Sequence, residues 1–471
     1  MKGFAGLASD SREVRPGYLF AALPGSRADG ANFVGDAVRR GAIAVMGQPQ
    51  LRAGTEALGV RFIADDNPRA RLARMAAAFF GLQPRSVAAV TGTNGKTSVT
   101  VFLRQVWERA GFHAASMGTI GVVTKNGARS LAHTTPDPIE THRLLAELAK
   151  EGIDHLALEA SSHGLDQYRL DGVDIAAVAF TNITRDHLDY HQDFARYLAA
   201  KLRLFSEVAA DGAVAVVNAD APNAGDFVAA AQARKLRLIT VGAHGETLKL
   251  VQRTPHATGQ TLDVAFDGRN FRIALPLAGD FQASNALVAA GLAIALGQSA
   301  ETVFPALAHL TGAPGRLEKV ALAKSGAPIY VDYAHTPDAL ETVLKALRPH
   351  VAKKLVVVFG CGGDRDKGKR PLMGEAAAKL ADTAIVTDDN PRSEVAADIR
   401  RAILAGCPGA REIGDRAEAI REGIASLTDG DCLVIAGKGH ETGQIVGSDV
   451  RPFSDREEAI KAAMALGGSR A

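Results

Sequence analysis

The chain has 471 residues, enough for roughly two to four domains with sizeable cores. Apolar residues make up 47% of it and charged residues 23%, which is the composition of a globular protein and excludes a disordered or fibrous one. The formal net charge is only +2, which argues against the strong positive field of nucleic-acid-binding and membrane-surface proteins.

Targeting and redox signals indicate the cytoplasm. The first residues hold too short an apolar stretch for a signal peptide, and no window reaches the roughly 18 apolar residues of a transmembrane helix. The three cysteines, Cys361, Cys407 and Cys432, lack metal-site spacing and cannot all pair, which suits a reducing compartment. We expect a cytoplasmic protein without membrane insertion and without nucleic acid as a partner.

Three blocks of α/β pattern follow one another along the chain. Residues 1–84 mix short apolar runs with helical stretches. Residues 85–313 alternate buried-strand patterns with helices, which is typical of a parallel sheet with crossover helices. Residues 314–471 repeat this alternation after a glycine- and proline-rich linker at 312–315. We predict three α/β domains with these boundaries.

Strands are predicted at the apolar runs. In the first block these are 18–23, 42–45 and 60–64. In the second they are 87–90, 155–159, 175–181, 213–218 and 236–241, with an antiparallel ribbon at 247–276. In the third they are 329–332, 355–359, 384–387 and 432–436. Since ligands of open α/β sheets bind at the carboxyl ends of strands, the chemistry is expected at those ends.

One strand end carries a phosphate-binding turn, Thr-Gly-Thr-Asn-Gly-Lys-Thr at 91–97, followed by a helical pattern. In such turns backbone N–H groups and the helix N-terminus face the anion, Lys96 supplies charge and the Thr97 hydroxyl can ligate Mg²⁺. The usual pattern has glycine at position 90; here Val90 stands there and the glycine is Gly92. The turn is therefore a shortened phosphate loop, and it predicts a nucleotide site.

Other strand ends of the second block could serve a metal or acid–base chemistry. Glu159 can hold Mg²⁺ there, or serve only as a helix-start charge. In the polar run 181–191, His187 stands beside two aspartates as a candidate ligand or acid–base group, whereas His191 is expected to be an exposed loop residue. Lys201 lies on an amphipathic helix, and by itself it indicates a solvated charge.

The third block adds candidate sites and a caution. Asp332 ends a strand where Asp commonly takes ribose hydroxyls or simply caps the next helix. The glycine-rich run 360–367 carries basic residues and suits an anion. Asp-Asp-Asn-Pro-Arg occurs twice, at 65–69 and 388–392, each time before a helical pattern, where Asn before Pro is good capping chemistry. At least one copy is therefore expected to be architectural.

Taken together, these stretches resemble the Mur ligases, the ATP-dependent amide-forming enzymes of peptidoglycan assembly. The resemblance covers essentially the whole chain and rests on the shortened loop together with 159–164, 182–191, 283–285, 315–318 and 332–335. It implies an α/β fold of three domains. These are a small UDP-binding domain, a central P-loop ATPase domain with a parallel sheet and a small antiparallel insert, and a C-terminal Rossmann-like domain that closes over the amino acid.

Within the family, 9–12 and 17–20 resemble the branch that adds the third residue to UDP-N-acetylmuramoyl-L-alanyl-D-glutamate. Residues 389–392 match the Asp-Asn-Pro-Arg motif of the enzymes that add meso-diaminopimelate. A guanidinium can grip the second carboxylate of that amino acid, which lysine lacks, through two parallel hydrogen bonds. The resemblance thus implies these two substrates, ATP, Mg²⁺, CO₂ held as a carbamate on Lys201, and a monomer.

The resemblance also implies site residues. Catalytic roles fall to Lys96, His187 and Lys201. ATP would be bound by Gly92, Thr93, Asn94, Gly95, Lys96, Thr97, Asn285, Arg316 and Asp332. The UDP-substrate would be bound by Ser9, Ser11, Ser26, Arg27, Ala28, Thr134, Thr135, Ser161, Gln167 and Arg169. Diaminopimelate would be bound by Arg365, Asp389, Asn390, Pro391, Arg392, Gly437 and Glu441. The metal ligands would be Thr97, Glu159, His187 and carbamylated Lys201.

Three competing functions stay open at this point. A lysine-adding relative is the nearest, and Arg392 discriminates against it. A folylpolyglutamate synthetase has a similar ATPase core but should lack the first domain and the 389–392 motif. A P-loop nucleotide switch or transport ATPase would leave the polar run at 181–191 unexplained. The first pentapeptide copy, at 65–69, receives no catalytic role.

Overall fold

The computed structural model describes residues 3–25 and 29–471. The chain forms two compact units, one of residues 1–239 with 295–297 and one of 240–294 with 298–471. The domain boundaries placed at 84 and 313 stay predictions. Within the described ranges, no helix is long and apolar enough to cross a membrane.

The first unit begins with a small parallel sheet. Its strands are β1 Gly6–Ala8, β2 Tyr18–Ala21, β3 Ala42–Gly47 and β4 Arg61–Ala64, in that order. Its helices are α1 Val34–Arg39, α2 Arg52–Glu56 and α3 Pro68–Phe80. One face packs on α3 through the fully buried Leu19, Met46 and Leu72. The three strands predicted in this block are confirmed; β1 was missed because three residues are too few for a pattern.

Helix α3 begins within the first pentapeptide copy. Asn67 Oδ1 accepts a hydrogen bond from Ala70 N at 3.1 Å, and Pro68 takes the first helical position, where a missing N–H is not needed. Gly81 ends the helix with φ 71°. The capping role expected for this copy is confirmed.

A larger sheet makes up the rest of the first unit. Its strands are β5 Ser86–Thr91, β6 Ala114–Gly118, β7 Gly121–Thr124, β8 Gly127–Arg129, β9 His155–Glu159, β10 Ala177–Phe180, β11 Val214–Asn218 and β12 Arg237–Gly242. Its helices are α4 Lys96–Arg109, α5 Pro138–Lys150, α6 Ser162–Asp166, α7 Leu188–His191, α8 Phe194–Arg203 and α9 Ala224–Ala233.

In this sheet the order is β12-β11-β10-β5-β9-β6-β7-β8, and β11, β10, β5, β9 and β6 run parallel. The five predicted strands are confirmed. The antiparallel β6-β7-β8 edge was missed, because its strands have only three to five residues each and β8 is exposed throughout. The phosphate loop follows the central strand β5, so it lies at the carboxyl edge between two parallel neighbours.

The second unit contains the predicted antiparallel ribbon, formed by β13 Leu248–His256, β14 Gly259–Phe266 and β15 Arg269–Leu275. Two helices follow, α10 Asp280–Ala295 and α11 Ala300–Leu307. The ribbon expected at 247–276 is therefore confirmed.

The last part of the second unit is again a mostly parallel sheet. Its strands are β16 Glu318–Leu322, β17 Pro328–Asp332, β18 Leu355–Phe359, β19 Thr383–Val386, β20 Arg411–Glu412, β21 Cys432–Ala436 and, after the hairpin β22 Gly443–Val446 and β23 Asp449–Pro452, β24 Ser469–Arg470. The helices are α12 Pro337–Leu347, α13 Lys369–Leu380, α14 Ala396–Leu404, α15 Arg416–Ala425 and α16 Asp455–Ala465.

Strand order in this sheet is β20-β19-β18-β21-β17-β16-β24. The strands from β20 to β17 run parallel, and β16 and β24 are antiparallel additions at one edge. The four predicted strands are confirmed. Their carboxyl ends place Asp332, the glycine-rich run, the second pentapeptide copy and Gly437 along one edge of the sheet.

Candidate active site

The phosphate loop lies between β5 and α4, as predicted. Gly95 precedes α4 with φ 87°, and Gly92 has φ 150°, a region that favours glycine. A Cβ on Gly92 would also meet the side chain of Thr181 and lie 2.9 Å from the carbonyl oxygen of Asn182. Both glycines are therefore required, and they lead into the N-terminus of a 14-residue helix, where backbone N–H groups can hold phosphate.

The polar run after β10 holds this loop in place. Asn182 accepts from Asn94 N at 3.0 Å and donates back to Asn94 O at 3.2 Å, and Thr181 donates to the same oxygen at 2.6 Å. Thr93 Oγ1 lies 2.9 Å from the hydroxyl of Tyr197 on α8. The structure thus brings the predicted chemistry-rich run against the predicted nucleotide loop.

Two lysines reach carbonyl oxygens of the loop. Lys96 Nζ donates to Gly92 O and Thr93 O, both at 2.8 Å. Lys201 is 1% exposed, and its Nζ lies 2.7 Å from Gly92 O and 4.6 Å from the centre of the Tyr197 ring. Burial first, and then the charge of Lys96, hold the pKa of Lys201 well below its usual value. Lys201 is therefore not the solvated charge that its sequence position alone indicated.

Oxygen ligands suited to Mg²⁺ lie beside the loop. Thr97 and Glu159 are buried, and the Glu159 carboxylate accepts from Thr119 N at 2.8 Å and from Thr119 Oγ1 at 3.1 Å. Over residues 3–25 and 29–471, no three His, Cys, Asp or Glu side chains cluster as a complete metal site. One hydroxyl and one carboxylate fit Mg²⁺, which keeps several waters and takes phosphate oxygens.

The histidines of the polar run form a cluster with His163. The His163 ring centre lies 4.9 Å from that of His187, 4.1 Å from Tyr190 and 5.5 Å from His191. Burial first, and then the charge of His187, lower the pKa of His163 to about 4, so it is neutral at pH 7. His187 is half-exposed. His191, expected to be exposed, is buried because its ring packs 5.3 Å from that of Tyr197.

A cavity of about 120 Å³ brings together three of the predicted UDP-substrate residues. Arg169 donates to Gln167 Oε1 at 2.9 Å and to Thr135 O at 2.7 Å. The first pentapeptide copy contributes Arg69, which sequence reasoning left without a role. The lining residues are Ser9, Leu23, Arg69, Asp137, Pro138, Gln167 and Arg169. Two guanidinium groups against one carboxylate suit an anionic ligand.

Two other predicted UDP-substrate residues, Thr135 and Ser161, are hydrogen-bonded to one another at the end of β9. Ser161 N donates to Thr135 Oγ1 at 3.1 Å, and that hydroxyl donates to Glu159 O at 2.8 Å. Thr134 is half-buried, and Ser11 is buried. Three further predicted contacts fall outside the described residues: Ser26, Arg27 and Ala28.

In the second unit, the other predicted ATP-binding residues are linked through hydrogen bonds. Asp332 accepts from Leu317 N at 2.6 Å. Gln282 accepts from Asn285 Nδ2 at 3.4 Å and donates to Arg316 O at 3.0 Å. Burial raises the pKa of Asp332 to about 6, although the charge of Arg316 opposes the shift. Their contact with ATP stays a prediction.

The second pentapeptide copy caps no helix, so the first copy is the architectural one of the two. Helix α14 begins only at Ala396, and Arg392 has φ 53°. Asn390 instead donates to Glu441 Oε2 at 3.0 Å and accepts from Lys438 Nζ at 3.0 Å. Tertiary hydrogen bonds therefore replace the local cap, and the motif becomes part of a polar cluster.

The predicted diaminopimelate residues lie around this cluster. Asp389 and Pro391 are buried, and a Cβ on Gly437 would lie 3.6 Å from the Asp389 carboxylate. Arg392 is half-buried and donates to Gly363 O at 2.9 Å. Arg365 is exposed. Sequence reasoning missed the buried Lys438, although a lysine directly after a glycine at a strand end was an available signal.

Comparisons with known proteins agree over the whole chain. Residues 4–80 match the profile of the Mur ligase family catalytic domain, 90–293 that of the Mur ligase middle domain and 315–439 that of the Mur ligase glutamate ligase domain. The UDP-N-acetylmuramoyl-L-alanyl-D-glutamate–2,6-diaminopimelate ligase of Bradyrhizobium diazoefficiens is 56% identical over 98% of this chain and 94% of its own length. The chain belongs to the Mur ligase family.

Two further relatives carry the same name. The Mesorhizobium japonicum ligase is 55% identical over 98% of this chain and 94% of its own. A solved structure of a UDP-N-acetylmuramoyl-L-alanyl-D-glutamate–2,6-diaminopimelate ligase superposes with a TM-score of 0.77 at 34% identity, covering 98% of this chain and 95% of that one. The predicted family and α/β fold class are confirmed. As a Mur ligase, the chain is an ATP-dependent ligase that uses Mg²⁺.

Proposed function

We infer that this Mur ligase adds meso-diaminopimelate to the D-glutamate γ-carboxylate of UDP-N-acetylmuramoyl-L-alanyl-D-glutamate, a step of peptidoglycan precursor synthesis. The observation that carries this inference is the identity of 56% over nearly the whole chain with a ligase of that name. The cluster of Asn390, Glu441 and Arg392 adds chemistry suited to an amino acid with a second amino-carboxylate centre.

The reaction makes an amide, which requires an activated carboxylate. A γ-carboxylate oxygen of D-glutamate attacks the γ-phosphorus of ATP, giving an acyl phosphate and ADP. The neutral amine of diaminopimelate then attacks the acyl carbon, and the tetrahedral intermediate expels phosphate as the nitrogen loses its proton. Lys96 and the N-terminus of α4 offset the repulsion between the carboxylate and the γ-phosphate.

The metal ligands we assign are Thr97, Glu159, His187 and Lys201 as its carbamate. Mg²⁺ at these residues supplies charge that screens phosphate and carboxylate from one another. A carbamate converts Lys201 from a cation into an anionic oxygen ligand. The low pKa of this buried lysine supports the assignment, because only an unprotonated amine reacts with CO₂.

For ATP we assign the phosphate loop together with Asn285, Arg316 and Asp332. For the UDP-substrate we assign the predicted residues, of which Ser9, Gln167 and Arg169 share a cavity. We further propose that the protein acts as a cytoplasmic monomer with domain boundaries near residues 84 and 313.

In the amino-acid site, Arg365 and Arg392 would hold the distal carboxylate of diaminopimelate. Arg392 Nη1 donates to Gly363 O at 2.9 Å and to Asn390 O at 3.5 Å, which leaves the donors on Nε and Nη2 for a ligand. Asn390 and Glu441 would receive the distal ammonium. A lysine-adding ligase needs no second carboxylate contact, so this arrangement favours diaminopimelate.

Two competing functions fit the chain less well. A folylpolyglutamate synthetase should lack a UDP-type first domain, whereas residues 4–80 match a Mur ligase profile. A nucleotide switch or transport ATPase needs no amino-acid site, so that function would leave the cluster of Asn390, Arg392 and Glu441 unexplained.

The test measures phosphate release with ATP, Mg²⁺ and UDP-N-acetylmuramoyl-L-alanyl-D-glutamate, on adding meso-diaminopimelate or L-lysine. The wild type should respond strongly to diaminopimelate and weakly to lysine. Arg392→Ala should lower kcat/KM for diaminopimelate by about 10- to 100-fold, the effect of losing charged hydrogen bonds.

Arg69→Ala is the matched control for the preference between the two amino acids, because Arg69 occupies the same place in the identical pentapeptide but lies in the cavity assigned to the UDP-substrate. This variant should leave that preference unchanged. The proposed function would be refuted if the wild type released no additional phosphate when diaminopimelate is added. An unaltered preference in Arg392→Ala would refute the specificity argument alone.

A further inference from the structure

Lys438 is a fully buried lysine at the end of β21, with 0% of its surface exposed. Its Nζ lies 3.0 Å from Asn390 Oδ1, 3.2 Å from Glu441 Oε2 and 3.4 Å from Asp389 Oδ1. An ammonium has three donors. All three are therefore directed at residues that we assign to diaminopimelate, although Lys438 itself has no assigned role.

These contacts set the orientation of two of those residues. Asn390 Oδ1 accepts from Lys438 and from Ile445 N at 3.0 Å, so its amide nitrogen faces the other way and donates to Glu441 Oε2 at 3.0 Å. Glu441 keeps 36% of its side chain exposed while Oε2 is held from two sides. The carboxylate is thus fixed in direction and still accessible.

Lys438 faces more than one carboxylate. Asp389 and Glu441 both lie within 3.4 Å of its single ammonium. The neighbouring Arg416 is fully buried and pairs with Asp455 at 2.7 Å. Because Glu441 shares one ammonium with Asp389 and keeps part of its side chain exposed, its carboxylate can receive an incoming ammonium group.

We propose that Lys438 is a positioning residue for the amino-acid substrate. It holds Asn390 and Glu441 in the orientation in which they receive the distal ammonium of diaminopimelate. Without it, no ammonium separates Asp389 from Glu441, the two carboxylates repel one another and Glu441 turns towards solvent. The inference rests on the proposed function and extends it to a residue that touches the binding groups rather than the substrate.

The experiment compares the wild type with Lys438→Met, which keeps the length of the side chain and removes the ammonium. KM for diaminopimelate should rise by about tenfold or more, the effect of losing a charged hydrogen-bond partner. KM for ATP, KM for the UDP-substrate and kcat at saturating diaminopimelate should each change by less than about twofold, since only amino-acid binding is affected. Thermal unfolding recorded alongside reports the folded fraction.

A double-mutant cycle tests whether Lys438 acts through Glu441. In a Glu441→Gln background, Lys438→Met should raise KM for diaminopimelate by much less than in the wild type, because the partner carboxylate is already gone. Equal effects in both backgrounds would refute action through Glu441.

If Lys438→Met does not fold, Lys438→Gln replaces it, since the amide keeps hydrogen bonds and loses only the charge. An unchanged KM for diaminopimelate in a folded variant would overturn the inference. Failure of both variants to fold would also overturn it, because Lys438 would then be a purely structural residue. In each case the diaminopimelate-dependent activity of the wild type, and with it the proposed function, would stand.

Discussion

Lys96 and Lys201 donate to the same carbonyl oxygen, that of Gly92, at 2.8 Å and 2.7 Å. Two ammonium groups this close to one acceptor repel each other, and the more deeply buried one is the easier to neutralise. Burial and the charge of Lys96 accordingly hold the pKa of Lys201 well below its usual value. Of the two lysines, Lys201 therefore gives up its proton more readily, and carbamate formation needs the unprotonated amine.

The first prediction concerns this amine. Its nitrogen attacks the carbon of CO₂: an N–C bond forms, one C=O electron pair moves onto oxygen to give the carboxylate of the carbamate, and the nitrogen loses a proton to solvent. In ¹³C-bicarbonate, the wild type should show a carbamate carbon resonance in its NMR spectrum, and Lys201→Met should lack it. Lys150→Met removes an exposed lysine and should keep the resonance. A signal that persists in Lys201→Met would show that Lys201 is not the residue that carries the carbamate.

The second prediction separates backbone strain from steric contact in the phosphate loop. Gly111, with φ 90°, has open space where a Cβ would lie, whereas a Cβ on Gly92, with φ 150°, would meet Thr181 and Asn182. Gly111→Ala should lower the free energy of unfolding by about 1–2 kcal/mol through strain alone. Gly92→Ala should lower it further and raise KM for ATP.

Urea unfolding and ATP titration of kinetics check both variants. Equal losses of stability, with an unchanged KM for ATP in Gly92→Ala, would contradict the close approach of the loop to β10.

The third prediction concerns the pH dependence that Asp332 contributes. Burial raises its pKa to about 6 in the folded protein from 3.8, so folding favours the protonated form. Its stabilising contribution is present below pH 3.8 and is lost as the pH rises through about 6. Two pKa units correspond to about 3 kcal/mol.

Denaturant unfolding of wild type and Asp332→Asn between pH 4 and pH 7 isolates this contribution. The wild type should lose free energy of unfolding relative to the variant as the pH rises. A flat difference, or one of opposite sign, would show that the carboxyl is ionised in the folded protein across that range.

Local patterns were enough for much of the fold. The strands at 355–359 and 432–436 are continuous apolar runs between polar turns, which is the pattern typical of buried parallel strands. The phosphate loop was predictable for a similar reason, because its glycines and Lys96 lie within a few consecutive residues. The edge strands β7 and β8 were not predictable, since each is short and is held by pairing with its neighbour, β7 with β6 and β8 with β7.

The sequence by itself determined the family, the nucleotide loop and the residue types of each site. Only the tertiary structure decided what the two identical pentapeptides do. Asn67 caps α3 by accepting a hydrogen bond from the backbone of Ala70, three residues further on. Asn390 instead makes hydrogen bonds with Lys438 and Glu441, which lie about 50 residues away in the chain. Tertiary structure also decides the environment of Lys201: a helical lysine is solvated unless the fold encloses it, and enclosure lowers its pKa.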